Sequence, residues 1–157
     1  MKLEDKIKAI KKIINENEHI DGDFWYHCGD ELIHKVLDTF NESEWKIFIK
    51  ELNDFKDYER YQFCCTLLNY DNERIIKIVD IYDIFFSQYL LLELEDADWI
   101  IQDIMYVENI RQPSLDLLRK LNQKIHQLRN YDKTVWKEDQ FLLAENMINK
   151  VIGKYYS

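Results

Sequence analysis

Glycine and proline are scarce in this chain of 157 residues, which contains 3 glycines and 1 proline. A fold made of many short strands needs many tight turns, and such turns depend on these two residue types. An all-β sandwich or barrel is therefore not expected, and neither is a glycine-rich phosphate-binding loop. The scarcity of residues that break helices favours an all-α fold.

Cysteine is also rare, and the 3 cysteines do not suggest a disulfide framework, because the count is odd and Cys64 and Cys65 are adjacent. Thiols in a reducing compartment fit this pattern better. No stretch approaches the ~18 uncharged apolar residues that a membrane-spanning helix needs. Residues 1–14 mix acids and lysines with apolar residues, unlike the continuous apolar core of a secretory signal. We therefore expect a cytoplasmic protein that does not contact membranes.

Basic residues are outnumbered, since 21 Lys and Arg oppose 30 Asp and Glu and the formal net charge is -9. A nucleic-acid-binding surface requires concentrated Lys and Arg, so direct binding to nucleic acid is not expected. An acidic balance suits solubility or attraction to a basic partner. The hydrophobic fraction of 46% excludes a disordered chain. The length is that of a single helical domain spanning residues 1–157.

Apolar residues recur at spacings of three and four, as Leu3, Ile7, Ile10 and Ile14 do at the start of the chain. This spacing is that of α-helices with one buried face. Because the connections are short, consecutive helices should pack as antiparallel neighbours. We expect seven to eight helices arranged as helical hairpins, either in a HEAT-like array or in an irregular bundle. The predicted helices are about 3–16, 30–40, 42–55, 58–69, 72–93, 97–109, one beginning at 113, and one ending near 152.

Several residues are expected to mark helix ends. Asn41 and Glu44 have the spacing of a capping box at the start of the third helix. Asp132 or Thr134 is expected to cap the last helix. Gly153 is expected just beyond the end of that helix, where a glycine in the left-handed conformation is common.

The stretch from Glu73 to Val107 joins the most apolar part of the chain to its densest negative charge. Residues 73–92 are apolar around most of a helical circumference, with a narrow polar line that includes Asp80 and Asp83. A helix with so thin a polar line must be covered on its other sides. We expect a buried central helix whose two aspartates form its wet edge rather than a catalytic pair.

Four carboxylates follow within six residues, at Glu93, Glu95, Asp96 and Asp98, and no Lys or Arg occurs until Arg111. Asp96 and Asp98 are expected at the start of the next helix, where acids complement the helix dipole. Glu93 and Glu95 are expected at the end of the preceding helix, where the dipole opposes them. Because Glu93 and Glu95 are present although the helix dipole disfavours them, we expect them to belong to a surface that binds a partner.

Two aromatic residues near the acidic turn are candidate interface anchors, because tryptophan and tyrosine contribute much of the binding energy of protein interfaces. These are Trp99 and Tyr106, and a place in the core is the alternative for Trp99. The predicted partner-binding residues are therefore Glu93, Glu95, Asp96, Asp98, Trp99 and Tyr106.

One segment near the start of the chain contains residue types that can bind a metal ion. A zinc site needs three or four converging ligands, often in spaced pairs, and this segment has neither C-x-x-C nor H-E-x-x-H. No catalytic residue, metal or cofactor is expected. A metal-dependent enzyme that uses His27, His34 and carboxylates stays as an alternative. The candidate ligands in the segment are His19, Asp21, Asp23, His27, Cys28, Asp30 and His34.

A small, acidic, aromatic-rich helical chain without a catalytic motif resembles the helical immunity proteins of bacterial toxin–immunity systems, which include polymorphic toxins and contact-dependent inhibition. The resemblance rests on this overall character, on Trp-Lys-Ile-Phe-Ile at residues 45–49, and on the acidic turn at 93–99. It implies inhibition by occlusion, in which an acidic face covers the active site of a basic toxin domain. A helical-repeat scaffold or adaptor for protein–protein interaction is a further alternative.

Overall fold

Helices form the regular structure of this protein in a computed structural model, which describes residues 1–18, 20 and 24–156. These residues contain no β-strand, which confirms the predicted all-α fold. The chain divides into two compact units, Met1–Ile81 and Tyr82–Ser157. The single domain expected over 1–157 stays a prediction, as does the choice between a HEAT-like array and an irregular bundle.

The first unit consists of short helices. Its first helix has the predicted bounds, and its second follows a π-helical turn without interruption. The elements are α1 (Leu3–Glu16), the π-helical turn (Trp25–Gly29), α2 (Asp30–Leu37), α3 (Glu42–Glu51), a 3₁₀ turn (Leu52–Asp54), α4 (Asp57–Leu68) and α5 (Glu73–Ile78). Helix α1 packs against α2, α3 and α4.

Helix α3 begins with the predicted capping box. The Glu44 N–H donates to the Asn41 side chain at 2.8 Å, and the Asn41 N–H donates to the Glu44 carboxylate at 3.1 Å. Lys6 of α1 reaches the same turn, where its ammonium donates to Glu44 Oε1 and to the Thr39 carbonyl oxygen, each at 3.0 Å. These bonds fix α1 against the start of α3.

Aromatic rings form much of the core of the first unit. Phe40, Trp45, Phe48 and Phe63 are fully buried. The ring of Phe48 meets those of Phe40 and Phe63 edge-on, at centroid distances of 5.1 and 5.4 Å, which is a favoured arrangement of aromatic side chains. Helix α4 is buried around most of its circumference, because polar residues such as Thr66 also face inward.

The second unit is built around two long helices. The chain enters it through α6 (Ile81–Tyr89), and its other elements are α7 (Leu94–Trp99), a 3₁₀ helix (Ile101–Asn109), α8 (Leu115–Arg129) and α9 (Glu138–Tyr156). Helices α8 and α9 pack against each other, the 3₁₀ helix packs against α9, and α7 packs against α8. The helical hairpin predicted over 113–152 is therefore present.

The 3₁₀ helix has 9 residues, whereas runs longer than three or four residues are uncommon. Side chains three apart are eclipsed in such a helix, and here one row of Ile101, Ile104 and Val107 is buried while Met105 on another row is exposed. The apolar residues repeat every three positions, which suits a 3₁₀ helix better than an α-helix. The single α-helix predicted over 97–109 is therefore wrong.

The continuous helix predicted over 72–93 is also wrong, because the chain breaks between α5 and α6. Val79 has an extended backbone, with φ -134° and ψ 157°. Valine is β-branched and favours this conformation, and Asp80 directly precedes α6, a position where aspartate competes with helix continuation. Asp80 and Asp83 therefore do not line one edge of a single helix.

The last helix differs from its prediction at both ends. It begins at Glu138, so neither Asp132 nor Thr134 caps it, and the Thr134 hydroxyl donates to Asp98 instead. Gly153 lies inside α9 rather than beyond it. Glycine within a helix costs about 0.5–1 kcal/mol, which the buried face of α9 outweighs.

Two glycines provide a matched test of the packing. A Cβ added at Gly29 would lie 2.3 Å from Cε3 of the buried Trp25 ring, whereas a Cβ at Gly153 meets nothing within 4 Å. We expect Gly29→Ala to lower the free energy of unfolding by about 1–3 kcal/mol through overpacking, and Gly153→Ala to raise it by about 0.5–1 kcal/mol. Urea denaturation measures both, and stabilisation by Gly29→Ala would contradict the Trp25 packing.

Candidate functional site

The acidic turn begins a helix rather than ending one. Helix α6 ends at Tyr89, Glu93 is the N-cap residue of α7, and Glu95 and Asp96 lie in the first turn of α7. Acids at this end complement the helix dipole. The expectation that the dipole opposes Glu93 and Glu95 is therefore wrong. What each carboxylate contacts decides which of them can meet a partner.

Lys124 of α8 lies close to the start of α7. It is 8% exposed, and its ammonium donates to the Leu92 carbonyl oxygen at 2.6 Å and to the Leu90 carbonyl oxygen at 3.4 Å. Burial lowers the pKa of Lys124, and the negative charge of Glu93 partly opposes that change. Glu93 therefore has a cationic neighbour that lies far away in sequence. Lys124 could have been found from the sequence, because it lies three residues after Leu121 on the buried face of α8, where lysine is rare.

Asp98 is used inside the second unit, where it is 5% exposed. Its carboxylate accepts a hydrogen bond from the Thr134 hydroxyl at 2.5 Å, and its carbonyl oxygen accepts one from the Trp136 indole N–H at 2.6 Å. Both donors belong to the segment that precedes α9, so Asp98 ties this segment to the end of α7. Its burial removes it from the acidic surface.

Helix α7 is held at its middle as well as at its ends. The hydroxyl of the fully buried Tyr89 donates to the Ala97 carbonyl oxygen at 2.8 Å. With Lys124 near its start and Asp98 at its end, this helix of 6 residues is fixed along its length. A helix this short is not stable by itself in water, so these tertiary bonds keep it in place.

Glu95 and Trp99 face outward from α7, and we call them the outward pair. They are four residues apart, a spacing that places side chains next to each other on one helix face. Trp99 is 63% exposed and Glu95 is also exposed. Within residues 1–18, 20 and 24–156, no hydrogen bond, ion pair or ring contact reaches either side chain. The core position considered for Trp99 is therefore wrong.

Tyr106 does not belong to α7. It lies on the 3₁₀ helix that follows, which spans Ile101–Asn109. Its ring is 42% exposed and stacks on Tyr82, with 6.0 Å between centroids and 26° between planes. In the predicted partner-binding set, Glu93, Glu95, Trp99 and Tyr106 are exposed, Asp96 is half-buried and Asp98 is buried. Of these, Glu93 lies near Lys124 and Tyr106 lies on the 3₁₀ helix.

Asp103, on the 3₁₀ helix, was missed by the sequence reasoning. It is half-buried, and in the described part of the chain no hydrogen bond or ion pair reaches its carboxyl group. Burial raises the pKa of Asp103 to about 6. Carboxyl groups with such values are common at functional sites, and Tyr106 follows on the same row of the helix. No sequence signal marked Asp103, because one aspartate in a helical pattern is typical of a solvated face.

The candidate metal ligands in the first unit are only partly described. His19, Asp21 and Asp23 lie outside the described residues, as does the side chain of His27. Cys28 is exposed. Among the His, Cys, Asp and Glu residues that the structure describes, no group of three or more could hold a metal ion.

Asp30 and His34 instead connect α2 to α4. The Asp30 carboxylate accepts hydrogen bonds from the Thr66 hydroxyl at 2.7 Å and from the Asn69 side-chain amide at 3.0 Å. His34 Nε2 lies 2.8 Å from the Thr66 carbonyl oxygen, and since that oxygen only accepts, Nε2 carries the proton. Both side chains are therefore engaged in holding the first unit together.

The three cysteines differ in exposure: Cys64 is buried, Cys65 is partly buried and Cys28 is exposed. In the described residues, every helix is too short or too polar to cross a membrane.

Removal of the buried ammonium should destabilise the second unit. We expect Lys124→Met to lower the free energy of unfolding by about 1–3 kcal/mol, because the carbonyl oxygens of Leu90 and Leu92 lose their donor. Lys120→Met is the control, since Lys120 forms an exposed pair with Asp116 at 2.9 Å, and such surface pairs contribute about 0–1 kcal/mol. Urea denaturation measures both. Equal effects of the two variants would contradict the role of Lys124.

The raised pKa of Asp103 predicts a pH-dependent stability difference. The folded state holds this proton up to about pH 6, whereas the unfolded chain releases it near pH 4. Ionised Asp103 therefore destabilises the fold above pH 6, and the penalty disappears below about pH 4. Because solvent reaches part of the carboxyl group, we expect Asp103→Asn to stabilise by on the order of 1 kcal/mol at about pH 8 and to have no effect at about pH 4. A gain that does not change with pH would contradict this.

The outward pair is the best candidate for a binding site in the second unit. It combines a carboxylate with an exposed indole ring, two groups that attract cations, on a helix whose ends and middle are fixed. Comparison of the chain with protein families, with curated proteins and with solved structures finds no match.

Proposed function

We propose that this protein is an immunity protein that neutralises a cognate bacterial toxin domain by covering its active site. The observation that carries the proposal is the outward pair on α7, an indole that is 63% exposed beside an exposed carboxylate. Aromatic residues supply much of the binding energy of interfaces. A side chain on a helix that is already fixed loses less conformational freedom on binding than one on a mobile loop.

The net charge suits a basic partner. At -9, the chain attracts a positively charged domain over long distances and accelerates its association. Active sites that bind nucleic acids carry concentrated Lys and Arg, so carboxylates can occupy the place of phosphate groups there. Inhibition by occlusion needs no catalytic residue or cofactor.

The outward pair is too small to form a whole interface, because a stable complex buries about 800 Å² on each partner. Further exposed apolar residues of the second unit are available to extend it. Leu91 is 48% exposed and Val135 is 69% exposed. Val135 lies between Thr134 and Trp136, which both donate hydrogen bonds to Asp98. Asp98 in turn directly precedes Trp99. The face that we propose therefore consists of α7 and the segment that precedes α9.

Charge reversal at the outward pair tests the proposal. Glu95→Lys should weaken binding to the basic toxin domain encoded beside the gene for this chain by about tenfold or more, because a repulsive charge replaces an attractive one at the interface. Asp71→Lys makes the same change at an exposed carboxylate of the first unit and should change the Kd by less than about threefold. Isothermal titration calorimetry measures both at about 0.05 M and about 0.5 M salt.

Toxin activity is assayed in the same mixtures and should be lost when the complex forms. Equal weakening by Glu95→Lys and Asp71→Lys, or an affinity that does not change with salt, would contradict the electrostatic part of the proposal. A complex that forms while the toxin stays active would favour the adaptor function instead.

A further inference from the structure

We infer that Glu95 and Trp99 bind the guanidinium group of one arginine side chain of the partner. In this arrangement the guanidinium plane stacks on the Trp99 indole, while its N–H groups donate to the Glu95 carboxylate. The inference rests on the proposed function and specifies the chemistry that the partner presents to α7. Arginine joins both interactions in one side chain, because its guanidinium is planar, charged and rich in donors.

The helical spacing favours such a site. Residues four apart on a helix have Cβ atoms roughly 5–6 Å apart, so one guanidinium group can meet both a ring and a carboxylate. Glu95 and Trp99 both lie within α7 (Leu94–Trp99). The bonds of Asp98 to Thr134 and Trp136 fix the backbone from which Trp99 projects. The backbone that carries the two groups is thus held in position before a partner arrives.

Charge complementarity selects a cation as the occupant. In the part of the chain that the structure describes, no cation forms an ion pair with Glu95, and the ammonium of Lys124 donates to the Leu90 and Leu92 carbonyl oxygens. An apolar partner segment would bury the Glu95 carboxylate without an ion pair or a hydrogen bond, and burial of an unpaired charge is unfavourable. A second copy of this chain, also at -9, would be repelled.

Arginine fits this site better than lysine does. The lysine ammonium is compact and strongly hydrated, whereas the guanidinium group is more weakly hydrated and stacks on aromatic faces. Tryptophan is the aromatic residue on which such contacts are strongest. The exposed indole therefore distinguishes this site from a simple negative surface, which would attract both cations alike.

The indole N–H signals of the full-length chain provide the test. The 4 tryptophans give one such signal each, and Trp25 and Trp45 are buried while the indole N–H of Trp136 is bonded to Asp98. These three signals are internal controls for Trp99. The probes are the amides of N-acetyl-arginine, N-acetyl-lysine and N-acetyl-leucine, added to the isotope-labelled protein and followed by NMR.

Among the indole signals, we expect the arginine probe to shift only that of Trp99, saturably, with a Kd on the order of 10 mM, as for other very small ligands. The backbone amide of Glu95 should shift over the same range of probe concentration. Glu95→Gln should weaken this binding about fivefold or more, and Trp99→Leu should abolish the corresponding shift of the Glu95 backbone amide. Asp71→Asn, which removes a charge from the first unit, should change neither.

Three results would overturn the inference. Equal shifts with the lysine probe would indicate recognition of charge alone, and equal shifts with the leucine probe would indicate an apolar docking surface. Shifts that depend on protein concentration without any probe would indicate a second copy. Failure of the arginine probe to shift the Trp99 signal would also overturn the inference but not the proposed function, since other residues can bind the toxin. Arginine binding without toxin binding would retain the site and refute the proposed function.

Discussion

The second unit depends on a buried positive charge. The ammonium of Lys124 donates to the Leu90 and Leu92 carbonyl oxygens just after α6, where helical carbonyls lack partners. A lysine side chain is almost never buried unless its ammonium has hydrogen-bond acceptors. The turn after α6 provides them, because it directs the Leu90 and Leu92 carbonyl oxygens at Lys124. Glu93 lies near the same charge, and α7 begins directly afterwards. Lys124 therefore holds the turn that leads into α7.

The remaining bonds of α7 determine which residues are left for a partner. Tyr89 holds its middle through the Ala97 carbonyl oxygen, and Asp98 holds its end through Thr134 and Trp136. The acidic turn is thus not a uniform negative surface, because Asp98 is buried and hydrogen-bonded within the second unit and the charge of Glu93 lies near that of Lys124. On α7 itself, an exposed carboxylate and an exposed indole share one helix face. This supports a binding function more strongly than the number of acids does.

Local signals made part of the fold predictable. Scarce glycine and proline indicated helices, and the spacing of Asn41 and Glu44 identified a capping box. The break at Val79 and the 3₁₀ helix were missed, although the β-branched Val79 beside Asp80 and the apolar repeat of three in Ile101, Ile104 and Val107 are local signals of them. The Lys124–Glu93 proximity joins residues far apart in the chain, which no local pattern reveals. Its type and neighbours made Trp99 a candidate interface anchor and left a place in the core open, and the structure places its side chain at the surface.

The central claim is that the partner covers the outward face of α7. Hydroxyl-radical footprinting of the complex with the toxin domain measures this directly, because side chains covered by the partner are oxidised more slowly. We expect slower oxidation of Trp99 and unchanged oxidation of Ile47, a residue of the first unit that is 52% exposed. Unchanged oxidation of Trp99 together with slower oxidation of Ile47 would contradict it and place the interface on the first unit.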